Sequence, residues 1–141
     1  MTGPPMPFDA APSVTAPSVT ARARRGRAAY RAGLGAEDAV ARHYARGGYR
    51  PVARRWRGPS GELDLVCADG AGGLVIVEVK KARDFDTALS RLGPRQLARL
   101  CAATDEYLAV EGQPLTTPLR LDLAVVDGMG RIATVENITQ G

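Results

Sequence analysis

The chain has 141 residues, 45% of them hydrophobic and 24% charged, enough for one domain around one core and too few for two. No apolar run approaches the roughly 20 residues of a membrane-spanning helix, and Pro and Ser interrupt the first residues where a signal peptide would be apolar. The net charge of +4 is uneven: residues 1–57 carry 11 Arg against three acids, net +8, whereas residues 58–141 are net −4.

A basic amino-terminal part beside an acidic remainder points to a polyanionic partner held next to a carboxylate-bearing region. The two cysteines, Cys67 and Cys101, lie in apolar stretches without metal-ligand spacing. The expectation is a reduced, cytoplasmic protein with no membrane attachment.

Residues 1–26 read as a disordered tail, with the domain spanning 27–141. Ala11-Pro12-Ser13-Val14-Thr15 is repeated unchanged from Ala16 to Thr20, and such a segment buries too little to offset its ordering entropy. Arg22, Arg24, Arg25 and Arg27 follow as a basic arm or a solvated run. Gly33-Leu34-Gly35 opens a helix that Gly47-Gly48 ends. A third glycine is missing, since Asp38 stands in its place, so a dinucleotide-binding loop is excluded. On this helix Val40, Ala41 and Tyr44 share an apolar face, and Glu37 falls on the same stripe.

Val52–Arg57 is expected as a first strand. Pro59-Ser60-Gly61 makes a turn, and Glu62–Asp69 follows with Leu63, Leu65 and Cys67 alternating on one face. Asp69–Gly73 is a strong turn signal, and Leu74–Lys80 is an apolar, β-branched strand ending in charge. Phe85–Leu92 suits a short helix. Pro94 sits where a helix takes its first residue, with Leu97, Leu100, Cys101, Thr104 and Leu108 as its apolar face. Leu119–Asp127 and Arg131–Ile138 close the chain as two strands. One helix, three strands, helix and two strands imply an α/β fold with a mixed central sheet flanked by helices.

Two carboxylates stand out. An antiparallel hairpin centred on Ala71 sets Asp64 opposite Glu78, with Cβ atoms about 5 Å apart. Two full charges at that distance repel by roughly 3 kcal/mol at an effective dielectric near 20. A shared proton, the ammonium of Lys80 or a divalent cation can relieve this. Oxygen-only ligands suit Mg²⁺ or Mn²⁺. Lys80 lies two residues beyond Glu78 on the same strand face, in a chain that uses 17 Arg and only two Lys. A compact ammonium suits close approach to a water or a phosphate oxygen.

Glu37 on the leading helix, Gly61-Glu62-Leu63-Asp64-Leu65 and Val77-Glu78-Val79-Lys80 together resemble a nuclease signature. The pattern is similar to the PD-(D/E)XK superfamily and, more narrowly, to the YraN-like bacterial family, itself similar to Holliday-junction resolvases. The resemblance covers about Gly33 to Ile138. It implies a restriction-endonuclease-like αβββαβ core and a Mg²⁺- or Mn²⁺-dependent endonuclease acting on DNA, with branched DNA as a candidate substrate and a homodimer as an allowed assembly. It assigns catalysis to Asp64, Glu78 and Lys80, the metal to Glu37, Asp64 and Glu78, and nucleic-acid contacts to Lys81, Arg83, Arg95 and Gln96. Arg120-Leu121-Asp122 matches an Arg-x-Asp of such relatives, with a structural role. Two positions depart from the pattern: Ala82, followed by Arg83, replaces a basic residue, and Arg95 replaces a lysine. These departures bear on catalytic rate more than on binding, so a non-catalytic nucleic-acid-binding module and a plain ion-pair network stay open as alternatives.

Overall fold

The computed structural model describes residues 35–139. The expected tail over 1–26, the boundary at 27 and the helix opening at Gly33-Leu34 lie outside the described residues. Helix α1 spans residues 35–46 and buries Ala36, Val40, Ala41 and Tyr44, with Glu37 on the same side. Gly47 and Gly48 end it. Gly48 has φ +96°, a conformation that favours a residue without Cβ and lets the chain turn straight into the sheet.

The sheet is built from β1 (Arg50–Gly58), β2 (Gly61–Ala68), β3 (Leu74–Lys81), β4 (Leu119–Val126) and β5 (Ile132–Val135), side by side in that order. The first three strands form an antiparallel meander, β3 and β4 run parallel, and β5 is antiparallel to β4. The parallel pair needs a crossover, which α2 (Phe85–Ser90) and α3 (Pro94–Val110) supply. Asp84 caps α2 by accepting the Thr87 N–H, and Pro94 opens α3 as expected. The fold is therefore α/β with a mixed five-stranded sheet, and the αβββαβ order read from the sequence is the order observed.

Both sheet faces are covered. Ala36, Val40, Ala41 and Tyr44 of α1 pack on Leu65, Cys67, Val75, Val77, Ala124 and Val126. On the other face, Ala88 and Leu92 together with Leu100, Ala103 and Tyr107 of α3 pack on Leu63, Val66, Ile76, Leu121, Leu123 and Val125. A sheet buried on two sides explains the apolar runs Leu74–Val77 of β3 and Leu123–Val126 of β4.

The structure moves several details. Cys67 is fully buried, but Cys101 is exposed on α3, whose buried face runs through Leu100, Ala103, Thr104, Tyr107 and Leu108. β5 stops at Val135, before the expected Ile138, because Asn137 takes φ +57° and its N–H turns to the Asp122 carboxylate. Leu63 does not share a face with Leu65 and Cys67. It packs beside Val66 on the α3 side, so the alternation of β2 slips between Leu63 and Leu65. β1 slips at the same height: Ala53 and Trp56 both pack on the α3 side, while Arg54 between them reaches Asp38 of α1. Arg55 lies at this step with φ +49°. For a residue with a Cβ such a backbone costs about 1–2 kcal/mol.

Candidate metal centre

The hairpin register expected around Ala71 is the one observed, with Leu65 opposite Val77 and Ala68 opposite Leu74. At Asp64 the two strands part. The Asp64 carboxylate accepts the Val79 N–H at 2.9 Å. This wedge holds Asp64 beside Glu78, which is only 4% exposed. Lys80 Nζ lies 2.9 Å from Glu78 Oε2, and Gln96 of α3 donates to the same oxygen at 3.4 Å. Asp64, Glu78, Lys80 and Gln96 are thus brought together.

Glu37 joins from the other side of the sheet. It, Glu62 and Asp64 each bring a carboxylate oxygen within 4.8 Å of the other two. Glu62 belongs to this trio, although the resemblance assigns it no role. The signal was available, since Glu62 and Asp64 are two apart on one strand. A cavity of about 220 Å³ opens on this edge, lined by Gly61, Glu62, Asp64, Glu78, Gln96 and Arg99. Three converging carboxylates, with Glu78 adjoining, form an all-oxygen donor set that fits Mg²⁺ or Mn²⁺ and not a thiolate-loving metal.

The charges are relieved in two ways. Loss of hydration first, and the Glu78 carboxylate second, push the Asp64 carboxyl up to about 8, so a proton stays on it at neutral pH. Burial likewise raises Glu37, partly offset by the guanidinium of Arg55. Arg55 Nη1 lies 3.1 and 3.3 Å from the two Glu37 oxygens and its Nη2 3.6 Å from Glu62 Oε2. Arg57 takes the other Glu62 oxygen at 3.0 Å. No sequence signal marks Arg55, because only the backbone step turns it inward.

None of the remaining expected residues pairs with the clustered acids among the described residues. Lys81 is exposed at the end of β3, where its carbonyl accepts from Arg91 at 2.9 Å. Arg83 is exposed and paired with Asp84 at 3.4 Å, and Arg95 is exposed on the first turn of α3. Arg120 and Asp122 form a fork with two 2.9 Å bonds. Fully buried Asp122 also accepts from Tyr44 at 2.7 Å and from the Asn137 N–H at 3.0 Å. Every one of these partners is internal, which fits the structural role expected for this pair.

Fold and site together define an α/β protein in which the parting ends of β2 and β3 gather acids fit for a divalent cation. The chain belongs to the uncharacterised protein family UPF0102, whose model matches residues 36–126. It is 50% identical over 117 residues to a UPF0102 protein of Ruegeria pomeroyi, covering 83% of this chain and 94% of the relative. A UPF0102 protein of Cereibacter sphaeroides is 47% identical over 112 residues (79% of this chain, 95% of the relative). One of Roseobacter denitrificans is 46% identical over 121 residues (86% and 93%). Among the described residues, no helix is long and apolar enough to cross a membrane.

Proposed function

We propose that this protein is a divalent-metal-dependent endonuclease that hydrolyses phosphodiester bonds in DNA, branched DNA in particular. The observation that carries the reading is the wedge at Asp64, which sets that carboxylate beside buried Glu78 and its Lys80 partner on one open edge. This acid–acid–lysine arrangement is what the resemblance to PD-(D/E)XK nucleases and Holliday-junction resolvases calls for. Asp64 and Glu78 would hold Mg²⁺ or Mn²⁺, with Glu37 and Glu62 alongside. The ion would supply positive charge to the phosphate as negative charge builds on it.

The chain's own groups do the rest. The Lys80 ammonium, a quarter exposed, donates a hydrogen bond to a water and aims it at phosphorus. Gln96 fixes the Glu78 rotamer. The water oxygen bonds to phosphorus as its proton passes to solvent, while the bond to the sugar oxygen breaks and that oxygen takes up a proton from solvent to leave as a hydroxyl. Lys81, Arg83 and Arg95 carry exposed positive charge suited to the DNA backbone on either side.

The test is cleavage of four-way, single-stranded and duplex DNA by purified protein with Mg²⁺ or Mn²⁺, beside Glu78→Ala. Metal-dependent cutting lost in the variant is expected. Equal background cutting by both proteins removes the proposal. A second reading, binding without turnover, draws on the ion pairs of Arg55 and Lys80, which already neutralise the acids. It predicts DNA affinity that falls steeply with salt, as release of phosphate counterions demands, without any cleavage.

A further inference from the structure

Arg55 is costly where it stands. Its backbone lies in the left-handed region at φ +49°, which favours Gly or Asn over a long side chain. Its side chain nevertheless turns to the acidic edge and bridges Glu37 and Glu62, two of the three acids whose oxygens converge. The third, Asp64, makes no ion pair among the described residues and faces the open cavity. Arg55, with Arg57 on the other Glu62 oxygen at 3.0 Å, thus balances the two acids contributed by α1 and the start of β2. A divalent ion seated among these oxygens would need the same lone pairs. The Arg55 side chain is 35% exposed, so a route outward to solvent exists.

We propose that Arg55 is the cluster's own cation, displaced when Mg²⁺ or Mn²⁺ enters, and so the residue that sets how tightly the site takes metal. The inference deepens the reading above and rests on it for the place of the metal. After displacement the guanidinium remains tethered at the edge, where its fork suits a phosphate oxygen.

The experiment is calorimetric titration of the metal-stripped full chain with Mn²⁺, comparing wild type, Arg55→Asn and Arg55→Lys, each checked for folding by circular dichroism. Asn suits the backbone and removes the charge; Lys keeps the charge. Removing a positive charge within a few ångströms of the ion, at a partly solvated site, is expected to tighten Mn²⁺ binding about tenfold in Arg55→Asn. Arg55→Lys should stay close to wild type. Equal or weaker binding by a folded Arg55→Asn overturns the inference and leaves the metal site standing. Absence of Mn²⁺ binding in all three proteins overturns both the inference and the metal-dependent reading. A second measurement needs no variant: the ¹⁵Nε–¹H resonance of Arg55 should move as wild-type protein is saturated with Mg²⁺. A resonance that stays in place while Mg²⁺ binds overturns the displacement.

Discussion

Replacing Asp64 with Asn tests the electrostatics of the site without any ligand. The folded-state carboxyl is pushed up to about 8, by lost hydration and then by Glu78, from an ordinary value of 3.8. Between these values the unfolded chain releases a proton that the folded chain keeps. Stability from this group is therefore full below about pH 4 and is lost as pH rises towards 8. Two carboxylates about 5 Å apart would repel by roughly 3 kcal/mol at an effective dielectric near 20, which sets the scale for the Asp64–Glu78 interaction. Lys80, 2.9 Å from Glu78, offsets part of this. We expect metal-free wild type to lose about 1–3 kcal/mol through Asp64 between about pH 5 and about pH 8.

Asn keeps an acceptor for the Val79 N–H and removes the charge. Asp64→Asn should match wild type near the acid end and exceed its stability by about 1–3 kcal/mol near the alkaline end. Glu37, also raised by burial, is present in both proteins, and its repulsion of Asp64 is part of the difference measured. Urea titrations in EDTA across this range, followed by fluorescence of Trp56, the single tryptophan, give the two curves. Parallel curves would refute the reasoning, because they would mean that Asp64 ionises as easily in the folded chain as in the unfolded one.

Two further substitutions probe the frame around the site. Arg120→Ala leaves the fully buried Asp122 carboxylate without its fork, although Tyr44 and the Asn137 N–H remain. With the guanidinium itself 26% exposed, the loss expected in urea unfolding is about 2–4 kcal/mol, and a change below about 1 kcal/mol would contradict the structural role. Gly58→Ala would bring a Cβ within 2.6 Å of the Trp56 ring and 2.9 Å of Glu106 Oε1. Glu106 pins the β1–β2 turn by accepting from the Ser60 N–H and hydroxyl, and Trp56 packs edge-on against Tyr107 at 5.4 Å. Overpacking there should cost about 1–3 kcal/mol and shift Trp56 emission; an unchanged melting curve would show that the turn yields freely.

The amino-acid sequence determined the elements and the hairpin register, because these follow from local chemistry. Glycines at 47 and 48 end α1, Pro94 opens α3, and the turn centred on Ala71 pairs Leu65 with Val77. That register by itself brings Asp64 and Glu78 together. Tertiary structure decided what surrounds them. The joint slip of β1 and β2, with Arg55 at positive φ, is a property of two paired strands and leaves no periodic trace in either. It moved Leu63 to the α3 side and turned Arg55 inward towards Glu37 and Glu62. Likewise, packing α1 against one sheet face and α3 against the other decided that Glu37 and Gln96 reach the same edge from opposite sides. Contacts between residues far apart in the chain depend on how layers stack, and hydrophobic spacing alone does not encode that.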